Sequence, residues 1–181
     1  MMNLSRSCKC LIVWNSGNGI AFPHERVFAF VSNPKNLPRI MPASSDTKLI
    51  VLNRMPAPTP PAGVDSDKAA GVGSMIVTSF RLFPFLPVRA KWIARITEFD
   101  WNHYFADVQD RGPFARWHHR HEFRAETREG DAGTLVRDRI EYEVGFGFLG
   151  TIANAIFVRR QMEKTCAQRK QFLPRLLRQL T

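Results

Sequence analysis

The sequence predicts an α+β fold, an antiparallel sheet of about seven strands packed on one long C-terminal helix, with two short helices between strands 1 and 2. Three observations predict it. From Gly73 to Val144 apolar and polar residues mostly alternate in five short segments with short connections, which implies an antiparallel meander. After Val144 the period becomes helical: Leu149, Ile152, Ala153, Ile156 and Phe157 follow the i, i+3, i+4, i+7, i+8 spacing. A long helix without partner helices must bury its apolar stripe on the sheet.

Element by element, residues 8–15 read as the first strand, with "CLIVW" at its centre. "PHERVFAFVSN" reads as a short helix that begins at Pro23 and carries Val27, Phe28, Phe30 and Val31 as its apolar stripe. Pro34, Pro38 and Pro42 break the chain, and "NLPRIM" between them supplies one more helical turn. "TKLIVLNRM" is the second strand, and the Pro-rich segment 56–70 after it is a surface loop. The meander strands are 73–83, 88–98, 102–110, 114–126 and 133–144. In 88–98 the even residues, Trp92 among them, face inward and the mostly basic odd ones face water. The last helix extends through Met162, Cys166, Leu173, Leu177 and Leu180, with Gly150 and Pro174 weakening its ends.

Composition sets limits on function. With 181 residues, 44% apolar content and no abrupt compositional change, the chain is expected to form one domain, 1–181, large enough to bury a core and enclose a cavity. "CLIVW" is too short for a signal peptide, and the apolar window 145–158 falls short of a spanning helix, so a soluble chain is expected. Three cysteines without a CxxC pair encode neither a disulfide framework nor a zinc ribbon, and point to a reducing cytoplasm. The net charge of +10 is concentrated after Val158, where seven basic residues oppose Glu163. That charge is expected to be a solvated helix face, with transient contact to anionic membrane as a partner class. No helix-turn-helix, zinc knuckle or RNP-like strand is present, so no specific nucleic acid is expected. Neither is there a glycine-rich phosphate loop, a G-x-S-x-G elbow or a setting for a cysteine nucleophile. Oligomeric state is not encoded in any feature.

The segments "VFAFVSNPKNLPRIMP", "FADVQDRGPFARWHHRHEF" and "GTLVRDRIEYEVGFGFLG", the last leading into "RRQMEKTCAQRKQFL", resemble the SRPBCC superfamily of START-like, polyketide cyclase-like and coenzyme Q-binding domains. The middle segment is similar to a bacterial branch through Phe105, Asp107, Gln109, Gly112, Pro113, Phe114, Trp117, His119, His121 and Phe123. The resemblance runs from about Cys10 to Leu177 and implies a helix-grip fold, a curved antiparallel sheet gripping the C-terminal helix around a cavity. Residues 1–9 match nothing in it and read as a tail, and 56–70 reads as an insertion.

Alternation places Ala115, Trp117, His119, His121 and Phe123 on the cavity face, and Arg116, His118, Arg120, Glu122 and Arg124 opposite. The next strand alternates Val136, Asp138, Ile140, Tyr142 and Val144 inward. Folding that hairpin about Arg128–Asp131 sets His121 beside Asp138 and Trp117 beside Tyr142, while the "QDRGPFA" turn sets Phe105, Asp107 and Gln109 beside His119, Trp117 and Ala115. The expected ligand-binding set is Trp92, Phe105, Asp107, Gln109, Trp117, His119, His121, Phe123, Asp138, Ile140 and Tyr142. An H-x-H pair on a strand binds a metal only when a third ligand comes close. The expectation is instead of two neutral imidazoles hydrogen-bonded to Asp107, Asp138 or a ligand, with no metal and no cofactor. Arg81 and backbone groups are further candidate partners for the buried carboxylates.

The function these residues predict is binding of a hydrophobic small molecule, a lipid, quinone, sterol or polyketide, for transport or sequestration. The alternative is a polyketide cyclase- or dehydratase-like enzyme, with His121 or His119 as base oriented by Asp138 or Asp107. The apolar turn "FRLFPFLPVRA" reads as a lid, a membrane-touching tip or a packed corner.

Overall fold

In the computed structural model, which describes residues 12–62, 68–81, 88–128, 130–144 and 158–179, the alternating segments form strands β3 (Met75–Arg81), β4 (Arg89–Asp100), β5 (Tyr104–Arg111), β6 (Arg116–Arg128) and β7 (Asp131–Glu143). Their described ends lie within two residues of those read from the pattern. Strands β1 (Ile12–Ile20) and β2 (Lys48–Asn53) complete one antiparallel sheet in the order β1-β7-β6-β5-β4-β3-β2. The first strand therefore pairs with the last, and the rest is the expected meander.

Between β1 and β2 lie helix α1 (His24–Val31), a 3-10 turn at Pro34–Asn36, the single turn α2 (Leu37–Ile40) and a second 3-10 turn at Ala43–Ser45. Pro23 caps α1, whose Val27, Phe28 and Phe30 are buried. Phe28 is the hub of the core, with ring centroids 5.0 Å from Phe123, 5.4 Å from Phe99, 5.5 Å from Trp101 and 5.9 Å from Phe105.

Four expectations are corrected. β1 runs on through "NSGNG" to Ile20, because β7 is long enough to pair it residue by residue from Ile12↔Tyr142 to Ile20↔Thr134; an available partner strand overrides turn-forming composition. The alternation of β4 does not persist to its end. The register shifts between Ile96 and Glu98, and this bulge turns the odd-numbered Phe99 inward, opposite Phe105 and against Phe28. The Pro-rich loop is not wholly a surface feature. Its returning leg buries Ala69 and Ala70, the Ala70 amide donates to the Ser32 carbonyl, and the Trp101 indole donates to the Pro58 carbonyl at 2.8 Å. Gly71 is required there, since a Cβ would stand 2.2 Å from the Pro56 carbonyl oxygen.

The fourth correction concerns the C-terminal helix. α3 (Arg159–Arg178) passes through Pro174, which forfeits only the hydrogen bond to the Lys170 carbonyl. Met162, Leu173 and Leu177 are buried as expected, and so is Arg169, which breaks the reading of the basic residues as one solvated face. The Arg26 guanidinium, donating to the Leu177 carbonyl at 2.8 Å, ties α3 to α1. The tail 1–9, the FPFLP turn and the predicted helical stretch from Leu149 to Phe157, with Gly150, lie outside the described residues.

Candidate functional site

The sheet, the segment from α1 to β2 and α3 line a partly open cavity of about 400 Å³. Of the eleven residues selected from sequence, Trp92, Phe105, Asp107, Trp117, His119, His121, Asp138 and Ile140 line it. The other three point inward but sit elsewhere. Phe123 is packed against Phe28 in the core, and Tyr142 is buried beside Phe114 and Trp117. Gln109 closes the β5–β6 turn, its side-chain amide donating to the Phe114 carbonyl and accepting from the Phe114 amide.

Strand register builds the polar part of the wall. β6 and β7 pair His121 with Asp138 and Trp117 with Tyr142, as the hairpin count predicts. β5 and β6 pair Asp107 with His119 and Phe105 with His121, two residues displaced from expectation. An even displacement leaves every side chain on its predicted face. Asp138, buried at 2% exposure, is the centre. Its Oδ1 accepts from His121 Nδ1 at 2.7 Å and from His119 Nε2 at 2.9 Å. Arg169 of α3 reaches both of its oxygens through Nη1 at 3.1 Å. The two imidazole rings lie 3.8 Å apart between centroids, with Phe105 tilted over His121 at 4.5 Å and Trp117 edge-on to His119 at 5.8 Å. Their remaining nitrogens face Asp107, whose Oδ2 lies 3.7 Å from His121 Nε2 and 4.0 Å from His119 Nδ1.

Residues 20–170 match the family described as "Polyketide cyclase / dehydrase and lipid transport". The chain belongs to that family. No curated protein matches it in sequence. Among solved structures, a Thermus thermophilus protein superposes with TM-score 0.62 and 13% identity, covering 94% of this chain and 99% of that one. Norcoclaurine synthase from Thalictrum flavum, in complex with dopamine and hydroxybenzaldehyde, gives 0.60 and 14%, covering 100% and 94%. A START superfamily protein from Mycobacterium smegmatis gives 0.59 and 14%, covering 93% and 99%. At such identities these likenesses establish the START-like helix-grip fold alone.

In this polyketide cyclase family member the buried charges compensate one another. Burial alone would raise the Asp138 carboxyl, but the Arg169 guanidinium and the two imidazoles outweigh it and hold the group well below the ordinary carboxylate range. Burial and the neighbouring His121 push His119 down, towards the neutral imidazole. For His121 burial acts the same way, but the carboxylates of Asp107 and Asp138 outweigh it and the group is raised. Two chemically similar rings are thus driven apart. Cys166 also lines the cavity, and burial pushes its thiol up, away from a thiolate nucleophile.

Arg169 is the residue that sequence reasoning misses. Its signal is its position: Met162, Cys166, Arg169, Leu173 and Leu177 mark successive turns of one stripe, and a cation inside an apolar stripe needs a buried anion. Arg81, a candidate partner for the carboxylates, instead stands 3.5 Å from Asp46. His103 pairs with Asp100 in solvent, and His118 faces outward to Glu98 at 3.2 Å.

Proposed function

We propose that the chain binds an apolar small molecule with a polar head, of the lipid, quinone, sterol or polyketide class, inside this cavity. The observation that carries the reading is the distribution of charge on the wall. Among the described lining residues, every charged or imidazole group belongs to the single cluster of Asp107, His119, His121, Asp138 and Arg169, while Ile76, Phe80, Trp92, Ile96, Phe114 and Trp117 supply apolar surface. That combination, in a volume of about 400 Å³, suits a ligand of one polar end and one apolar body.

Native mass spectrometry of protein purified from its own host is expected to reveal a co-purifying organic molecule. Trp117→Ala should weaken its rebinding by about 10-fold or more, the scale of losing a buried aromatic contact worth over ~1 kcal/mol. A chain that retains no organic molecule, and whose tryptophan fluorescence is quenched by none of these four ligand classes, would sink the reading.

A second reading, a cyclase- or dehydratase-like enzyme, is favoured by one specific contact. Asp138 orients His119 through Nε2, which leaves Nδ1 as a cavity-facing base held neutral at physiological pH. Such a base removes an acidic C–H proton from a bound poly-β-ketone. His119→Ala is then expected to slow turnover of a poly-β-keto thioester by about 10²–10⁴-fold, the span of general-base catalysis. Equal rates with and without His119 would eliminate this reading and leave the binding one standing.

A further inference from the structure

We propose that Asp107, His119 and His121 form a site for one divalent first-row transition ion, with its open coordination positions facing the cavity. The three side chains reach the same point from two neighbouring strands. His119 is paired directly with Asp107, and His121 stands two residues along on the same face. One ligand atom from each of Asp107, His119 and His121 lies within 4.8 Å of those of the other two. The carboxylate oxygen is 3.7 Å from one nitrogen and 4.0 Å from the other, too far for hydrogen bonds. Bonds of about 2.0–2.2 Å to a tetrahedral or octahedral ion would hold such ligands about 3.0–3.5 Å apart. Sub-ångström side-chain adjustments therefore close the three atoms around an ion, with no change of backbone.

What surrounds the three residues makes this more than a chance grouping. Each imidazole gives one nitrogen to Asp138 Oδ1, which orients both rings and leaves His119 Nδ1 and His121 Nε2 on the side of Asp107. Arg169 in turn holds Asp138 through both oxygens and cancels its charge. A metal-binding histidine is ordinarily oriented by just such a carboxylate on its second nitrogen. Here one carboxylate serves two. Phe105 and Trp117 pack on the two rings and exclude water from them. Two imidazole nitrogens, with His121 releasing its proton as the ion binds, and one carboxylate oxygen form the facial set that suits zinc, iron(II) or cobalt(II) and leaves positions open. With Asp138 and Arg169 cancelling, a divalent ion on Asp107 retains net positive charge. It would take an anionic oxygen, such as a carboxylate or enolate, from the cavity ligand; this last step alone rests on the ligand-binding reading above.

The test uses the full chain after chelator treatment, with Cys8 and Cys10 replaced by Ser to remove competing thiolates, and cobalt(II) and zinc(II) as probes without organic ligand. Cobalt is expected to bind at one equivalent per chain with a visible ligand-field band, and zinc to displace it. Asp107→Ala and His121→Ala should abolish the band, with Asp107→Asn as the variant least disturbing to folding. Asp138→Asn, a change in a positioning residue, should keep the stoichiometry and the band but weaken affinity by about 10–100-fold. Absence of stoichiometric cobalt binding, or a band that survives Asp107→Ala and Asp107→Asn unchanged, overturns the site. Because no organic ligand is present, failure here leaves the cavity-binding reading untouched, and a failure of mass spectrometry to find a ligand leaves the ion site untouched.

Discussion

Arg169→Met is expected to destabilise the fold by about 3–5 kcal/mol, the cost of removing one partner of a buried ion pair and leaving the other charged. Asp138 is almost completely enclosed, at 2% exposure, and Arg169 is 7% exposed, so neither charge is relieved by solvent. Methionine fills most of the volume but offers nothing to the carboxylate, which keeps His119 and His121 as hydrogen-bond donors. Their presence places the effect toward the lower end of that range. Asp138→Asn combined with Arg169→Met should cost less than the sum of the two single changes, by a coupling of about 0.5–3 kcal/mol, since the pair is lost once and no charge is stranded. The pH dependence has a definite sign. In the parent, the carboxyl titrates below its ordinary value of 3.8, so its contribution is present above that value and is lost as pH falls further. Without Arg169 the buried carboxyl titrates higher, and protonation relieves the stranded charge. The penalty is therefore largest at neutral pH and shrinks under acid conditions. Urea unfolding of the four proteins at neutral and mildly acid pH checks this, and an Arg169→Met midpoint equal to the parent's would refute it.

The same residue shows where sequence reading succeeds and where it stops. Period-two alternation assigns faces with little ambiguity, because each strand residue has only two directions in which to point. Counting back from a tight hairpin then fixes partners, and so His121 meets Asp138 and Trp117 meets Tyr142 as expected. The β5–β6 link is longer and closed by Gln109, so its count slips by two residues, and the faces survive only because the slip is even. Facing inward does not say how deep a side chain lies. Phe123 and Tyr142 read as cavity wall, yet the sheet meets α1 at one and a local aromatic cluster at the other, and both are core. Arg169 is hidden for a different reason. Charge invites the assumption of solvent exposure, and only its place in the stripe of Met162, Cys166, Leu173 and Leu177 contradicts that. The long-range geometry that carries Asp107, on one strand, to the spare nitrogens of two histidines on the next is not legible in an H-x-H motif, which counts ligands along a single strand.

Phe28→Ala is expected to cost about 3–5 kcal/mol and to lower the melting temperature by about 6–20 °C for a chain of this size. Phe28 is fully buried and touches four aromatic rings at once, those of Phe99, Trp101, Phe105 and Phe123. Those rings come from β4, the β4–β5 turn, β5 and β6, so they cannot all move inward together to fill the void; the space stays partly open and each ring loses an aromatic partner. Phe105 also stacks on His121, which makes the consequence reach the polar cluster. A loosened Phe105 should broaden the environment of His121 without removing its bond to Asp138, because that bond is made from the other side of the sheet pair, by β7. Phe28→Leu retains most of the volume and should cost less than about 1.5 kcal/mol. Thermal unfolding of both variants, with the His121 ring protons followed by NMR, checks the stability and the reach of the effect together. If Phe28→Ala melts within a degree or two of the parent, α1 does not hold the sheet in the way this packing requires.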